Sequence, residues 1–249
     1  MRDVDQALAH AYGSSRRDAP ATGREAVPPP PHLPRGSAVP SILQWPELVT
    51  LLDKTVGDRF DRLADALIEA RHRHRVKVVL VTSGHRAEGR TTLTLNLAKA
   101  LGCRPGRTVV VDADLSGPML ARQLGLRPRF GLDDVIDGNQ ALSDVLVESP
   151  EDHLTVLPLR AAVGHPRGFV TSPEWSCTMS RLRREFDMVL LDGGPLFAGL
   201  GTTVLPGSVD AALLVQSRTL SGGRSLVRAR TALETGGVPL LGVAETFVK

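Results

Sequence analysis

Gly84 and Gly89 lie five positions apart and are followed at once by Arg90, Thr91 and Thr92. That spacing, G-x-x-x-x-G-[K/R]-T, suits a loop that cradles phosphate, with arginine where lysine is usual. Glycines let successive backbone N–H groups curl around an anion, and a following helix adds its positive N-terminal end. A cation at the loop end reaches the β- and γ-phosphates, and a hydroxyl at Thr91 ligates Mg²⁺. The candidate nucleotide contacts are therefore Gly84, His85, Arg86, Ala87, Glu88, Gly89, Arg90, Thr91 and Thr92. His85 and Arg86 have an equally weighted alternative as solvent-facing neighbours of the loop.

Two further stretches end in acids. TVVVDADLSGP is a continuous apolar run closed by Asp112 and Asp114, and DMVLLDGGP is a second closed by Asp192. Such runs suit parallel strands buried on both faces, and in open α/β sheets ligands gather at the carboxyl edge. There the acids face whatever the loop holds. Asp-x-Asp before Ser-Gly-Pro also makes a good turn, so Asp112 and Asp114 keep a local alternative.

These residues need a sheet and helices to position them. An apolar run at 76–81 leads into the loop, and Leu93, Leu97 and Leu101 then recur on one helical face. Strands are predicted at 108–111, 154–159, 187–192, 211–216 and 240–243. Short helices are predicted after Pro118, at 131–136 and at 142–146, and longer ones at about 172–186 and 223–234, the former opened by Ser172-Pro173. Upstream, Leu48, Leu51, Leu52, Phe60, Leu63, Leu67 and Ile68 predict a helix or helix pair over about 46–72. It runs into the basic stretch Arg71 to Arg75, either a solvated helix end or a contact for phosphate or an acidic partner. Residues 14–40 hold Pro20, Pro28, Pro29, Pro30, Pro31, Pro34 and Pro40, the composition of a disordered spacer. The expected organisation is a disordered proline-rich arm (1–40), a helical lead-in (41–75) and an α/β domain (76–249) with a mostly parallel sheet and helices on both faces.

The 249 residues give ample length for one such domain, and 42% hydrophobic with 23% charged is ordinary for a globular chain. A net charge of +3 permits an acidic partner without demanding nucleic acid, and 4% aromatic residues leave little for base stacking. Trp175 is read as a packing residue. His72 and His74 lack a companion at metal spacing, and Cys103 and Cys177 read as reduced thiols. With no apolar run of spanning length and no signal-peptide core, the expectation is a soluble cytoplasmic protein.

The ordered motifs TSGHRAEGRTTLTLNLA, VVVDADLSGP and DMVLLDGGP resemble the Walker A, second acidic (Walker A′) and Walker B motifs of one group of P-loop proteins. These are the bacterial tyrosine kinases of capsule and exopolysaccharide synthesis, kin to the MinD/ParA ATPases. The likeness covers about 76–243 and implies a three-layer P-loop NTPase fold with ATP and Mg²⁺ as cofactors. By resemblance, Thr91, Asp112 and Asp192 are the metal-side residues, Gly89 and Arg90 touch phosphate, and Arg90, Asp112 and Asp114 are the candidate catalytic residues. It also implies a membrane polysaccharide co-polymerase as partner, a peripheral place at the inner membrane face through it, and allows a homo-oligomer.

The departures bear on activity. Arg90 replaces the loop lysine, and a planar fork is not interchangeable with an ammonium point charge. Ala87 stands where the family has glycine, Ser116 where it has arginine, Gly193-Gly194-Pro195 where it has Thr-Pro-Pro, and Gly201 where it has an acid. Asp58, Asp61 and Ala64 replace the Glu-x-x-Arg-x-x-Arg pattern of ring formation. Tyr12 is the sole tyrosine, so the family's tyrosine tail is missing. The expectation is an ATP-binding regulator with weakened phosphoryl transfer. The alternatives are an active ATPase or kinase, or a MinD/ParA-like positioning ATPase; the last ranks below because Gly84-His85-Arg86 lacks that class's second lysine.

Overall fold

A computed structural model describes residues 39–198, 207–219 and 222–246. The Gly201 and Tyr12 departures, and the arm up to residue 38, lie outside the described residues. Eight strands form one sheet: β1 (Val39–Pro40), β2 (Val78–Ser83), β3 (Thr108–Ala113), β4 (Val147–Ser149), β5 (Leu154–Leu157), β6 (Met188–Pro195), β7 (Ala211–Ser217) and β8 (Leu240–Thr246). Their spatial order is β1-β4-β5-β3-β6-β2-β7-β8. Only the β4–β5 pair is antiparallel.

Strand side chains alternate between faces, and the apolar runs therefore feed two cores. Val78, Leu80, Val109, Val111, Val189 and Leu191 point to one side, against α4 (Leu132–Ile136), α5 (Leu142–Val145), α6 (Pro166–Thr171), α7 (Pro173–Glu185) and α8 (Gly223–Thr235). Val79, Val110, Leu190 and Leu213 point to the other, against α1 (Glu47–His74), α2 (Arg90–Gly102) and α3 (Leu120–Gln123). Three layers result, with the phosphate-loop residues at the carboxyl ends of the central strands.

Local chemistry sets the element ends. Ser172 caps α7, its hydroxyl oxygen accepting from the Trp175 N–H at 3.1 Å, with Pro173 at the first helical position. Trp175 is buried in the core, its indole N–H meeting Ser208 at 3.1 Å. α1 is kinked at Val56, beside Gly57. It lies along α2, joined there by Lys99–Asp53 at 2.6 Å and by Arg104 to Asp61 and Asp65 at 2.9 and 2.6 Å. Asp187 takes Arg71 at 2.7 Å, so part of the basic helix end is an internal brace.

The structure adds three elements. Val39 and Pro40, assigned above to the spacer, pair in parallel with Val147 and Glu148. Backbone pairing needs no side-chain pattern, and proline is tolerated on an edge strand. β4 is three residues long and α6 contains Gly168, each too weak in pattern to read. Among the described residues no helix is long and apolar enough to cross a membrane, and no cluster of His, Cys, Asp or Glu could hold a metal by itself. Cys103 and Cys177 are free and exposed.

Ala64 is fully buried between α1 and α2, where the family pattern has arginine. Ala64→Arg is expected to lower unfolding stability by about 3 kcal/mol or more, through overpacking and an unpaired buried charge. Urea denaturation measures this. An unchanged midpoint would show that α1 does not pack as described.

Candidate functional site

β2 ends at Ser83 and the chain turns through residues 84–89 into α2. Gly84 is required by space, since a Cβ there would lie 2.9 Å from the Phe197 ring. Gly89 adopts φ +92, the left-handed region, and faces the Thr246 methyl at 3.2 Å from where its Cβ would be. Ala87 also lies left-handed, at φ +62. A side chain in that region costs about 1–2 kcal/mol relative to right-handed backbone, so Ala87 holds a conformation that favours glycine.

Glu88 is buried within the loop. Its carboxylate accepts from the His85 N–H at 2.8 Å and from the Ser217 N–H at 3.4 Å, and its carbonyl accepts from the Thr246 hydroxyl at 2.8 Å. Glu88 thus braces the loop against the ends of β7 and β8. Outside this brace, the N-terminal turn of α2 and the loop border a cavity of about 230 Å³. Arg86, Ala87, Glu88, Gly89, Arg90, Thr91, Thr92, Asp114 and Asp192 line it, together with Gly117 and Met119.

The acids meet the loop from the sheet. Asp112 and Asp192 are register partners on β3 and β6. Asp192 accepts from the hydroxyls of Thr91 at 2.7 Å and Thr94 at 3.1 Å. Asp112 accepts the N–H groups of Met119, Leu120 and Asp114 at 3.0, 2.8 and 3.3 Å, bracing the loop that leads to α3. Burial first, and then the charge of Asp192, push the Asp112 carboxyl up to about 7. Burial likewise pushes Asp192 up to about 6, against the pull of Thr91 and Arg90. Two buried carboxylates on adjacent strands are the donor set a hard divalent cation neutralises.

Arg90 does not extend from the loop. It folds beneath it, donating to Ser83 Oγ at 2.7 Å, to the His85 carbonyl at 3.0 Å and to Asp114 at 3.2 Å. Burial lowers its pKa, with Asp114 and Asp192 opposing. Its Nε is buried without a partner among the described residues. Arg86 approaches the same acid from outside, 3.7 Å from Asp114, and donates to the Ser116 hydroxyl at 2.7 Å. Gly117 makes room for it, since a Cβ there would lie 2.8 Å from the guanidinium. Arg86 therefore puts a guanidinium beside Ser116, the position where the resembled pattern carries arginine.

The candidate residues thus assemble with three exceptions at the cavity wall. Gly84 and His85 lie at the base of the loop, the His85 ring edge-on to Phe197 at 5.2 Å, and Asp112 sits wholly buried behind the wall. Ser83 and Thr94 were not singled out from the sequence, and Ser116 was marked there only as a departure from the resembled pattern. Thr94 alone left a signal there, three positions after Thr91 on one helix face.

A parallel sheet with a phosphate loop at its carboxyl edge, and two strand-end acids below that loop, defines a P-loop NTPase fold. No family model matches the chain. It is 25% identical over 170 residues to the tyrosine-protein kinase CpsD of Streptococcus pneumoniae, covering 68% of this chain and 75% of that protein. It is 29% identical over 171 residues to the tyrosine-protein kinase YwqD of Bacillus subtilis, covering 67% and 70%. Among solved structures, the VpsO kinase domain shares the fold with a TM-score of 0.70 at 23% identity, over 80% of this chain and 99% of that one. The septum site-determining protein MinD of Pyrococcus horikoshii, complexed with Mg-ADP, shares it with a TM-score of 0.56 at 24% identity, over 67% and 68%. The chain has the P-loop NTPase fold, is similar in sequence to bacterial tyrosine kinases, and shares its fold with MinD.

Relieving the left-handed strain, Ala87→Gly is expected to raise stability by about 1 kcal/mol, read as an upward shift of the denaturation midpoint. A lower midpoint would place residue 87 elsewhere in backbone space. The Asp112 carboxyl binds its proton more tightly folded than unfolded, so metal-free stability falls as pH rises through about 7. Thermal midpoints should climb on acidification through that window, and Asp112→Asn should flatten the climb. A slope unchanged by Asp112→Asn would contradict the assignment.

Proposed function

We propose that the chain binds Mg-ATP at this cavity and acts as a nucleotide-dependent regulator of exopolysaccharide synthesis or export, with slow phosphoryl transfer. The observation that carries the reading is the hydrogen bond between Thr91 and Asp192. It joins the loop hydroxyl to the strand-end acid, the two groups that together hold Mg²⁺ in P-loop proteins. Thr91 and Asp192 would hold the ion, with Asp112 behind them, and the ion would supply charge neutralisation to the phosphates. The loop N–H groups of residues 86–90 and the start of α2 would take the phosphate oxygens.

Slow transfer is argued from Arg90. Its guanidinium is committed to Ser83, the His85 carbonyl and Asp114. To follow charge developing on a transferred phosphoryl group it must leave partners that a lysine would not engage as a fork. The exopolysaccharide setting, a membrane co-polymerase partner and assembly into homo-oligomers are supported by the kinship with bacterial tyrosine kinases. A second reading, an active kinase or ATPase, is favoured by the names of the same relatives, both tyrosine-protein kinases.

Titration with labelled ATP and ADP plus Mg²⁺, beside Asp192→Asn and Arg90→Lys, separates these readings. Micromolar binding that weakens at least about tenfold in Asp192→Asn supports the nucleotide site. Phosphate release that rises about tenfold or more in Arg90→Lys supports the regulator. Fast release by the unaltered protein supports the enzyme, and absence of nucleotide binding overturns both.

A further inference from the structure

A second, larger cleft of about 690 Å³ opens beside the phosphate cavity. The two share a wall: Gly117 and Met119 line the first, and Pro118 between them lines the second. Its apolar lining comes from Pro118, Ala121, Leu126, Pro128 and Leu159, and its charged lining from Arg122, Arg127 and Arg160. Among the described residues no acid lines it.

The three guanidinium groups are not equivalent. Arg160 is paired with Asp133 at 3.2 Å and Asp134 at 2.8 Å, and donates to the Arg129 carbonyl at 3.3 Å. It ties the chain after β5 to α4 and stiffens the wall. Arg122 and Arg127 are exposed, and among the described residues neither has a carboxylate within reach. Here two uncompensated guanidiniums flank an apolar trough.

We propose that this cleft docks an acidic segment of a partner protein, with carboxylates on Arg122 and Arg127 and an aliphatic side chain in the trough. A guanidinium fork matches a carboxylate bidentately, and unbalanced positive charge beside an apolar trough selects acidic over basic segments. A peptide is favoured over nucleic acid because the cleft has aliphatic and proline walls and no aromatic side chain for a base to stack on. Docking here stands apart from the nucleotide reading. That the docked segment would present a group to the phosphate cavity, across the Gly117–Met119 wall, rests on that reading.

Fluorescence anisotropy with a labelled peptide of alternating glutamate and leucine tests the docking on the full chain. The peptide should bind in a salt-sensitive manner, and the double variant Arg122→Glu, Arg127→Glu should weaken it at least about tenfold. Both residues are exposed, so the variant should keep the parent thermal midpoint and ATP affinity, which are measured alongside. No binding by the unaltered chain would overturn the proposal, as would equal binding by the double variant. So would equal competition from a lysine-leucine peptide or a single-stranded oligonucleotide. Peptide binding without ATP binding would leave the docking standing and remove the nucleotide site.

Discussion

The site hangs on one contact between layers, the Asp192 carboxylate accepting from Thr91 and Thr94 on successive turns of α2. Asp192 is buried in the carboxyl half of central strand β6 and cannot be left without donors, because an unsatisfied buried carboxylate costs several kcal/mol. The two threonine hydroxyls supply them. In doing so they fix the start of α2 relative to the sheet, and with it the direction of the loop N–H groups. Neighbouring Asp112 repeats the arrangement, spending its oxygens on the backbone that leads to α3. The cavity is the space left between these two bracings.

Within that frame the loop is balanced against its own charges. Arg90 and Arg86 converge on Asp114, so the positive groups that could meet a phosphate are held by one acid. Nucleotide binding at such a site is an exchange of partners, in which phosphate oxygens compete with Asp114 and Ser83 for guanidinium donors. The depth of Arg90 explains why arginine is tolerated here: its longer stem reaches back under the loop to acceptors at Ser83 and His85. The same depth draws its charge back from the cavity mouth, the physical ground for the slow transfer proposed above.

Much of this was legible in the sequence because it rests on spacing. Glycines five apart, a hydroxyl after the cation and apolar runs closed by acids marked Gly84, Gly89, Thr91, Asp112 and Asp192 before any coordinates. What stayed hidden depends on where distant residues arrive. The fold of Arg90 onto Asp114 spans 24 positions and is decided by the β3–β6–β2 strand order. Glu88, read from the sequence as a nucleotide contact, is also an internal brace that spacing could not show, since the Ser217 N–H that its carboxylate accepts lies 129 residues on. Arg86 taking the place beside Ser116 is of the same kind. Short elements such as β1, β4 and α6 escaped because pairing and packing, rather than their own periodicity, make them.

Amide hydrogen exchange across residues 84–94, followed with and without Mg-ATP, measures the exchange of partners most directly. The account predicts that Mg-ATP slows exchange at Arg86 to Thr91, where loop N–H groups would take phosphate oxygens, while the interior of β2 stays unchanged. Exchange that is unaltered at the loop under saturating Mg-ATP, in a protein that remains folded, would contradict it.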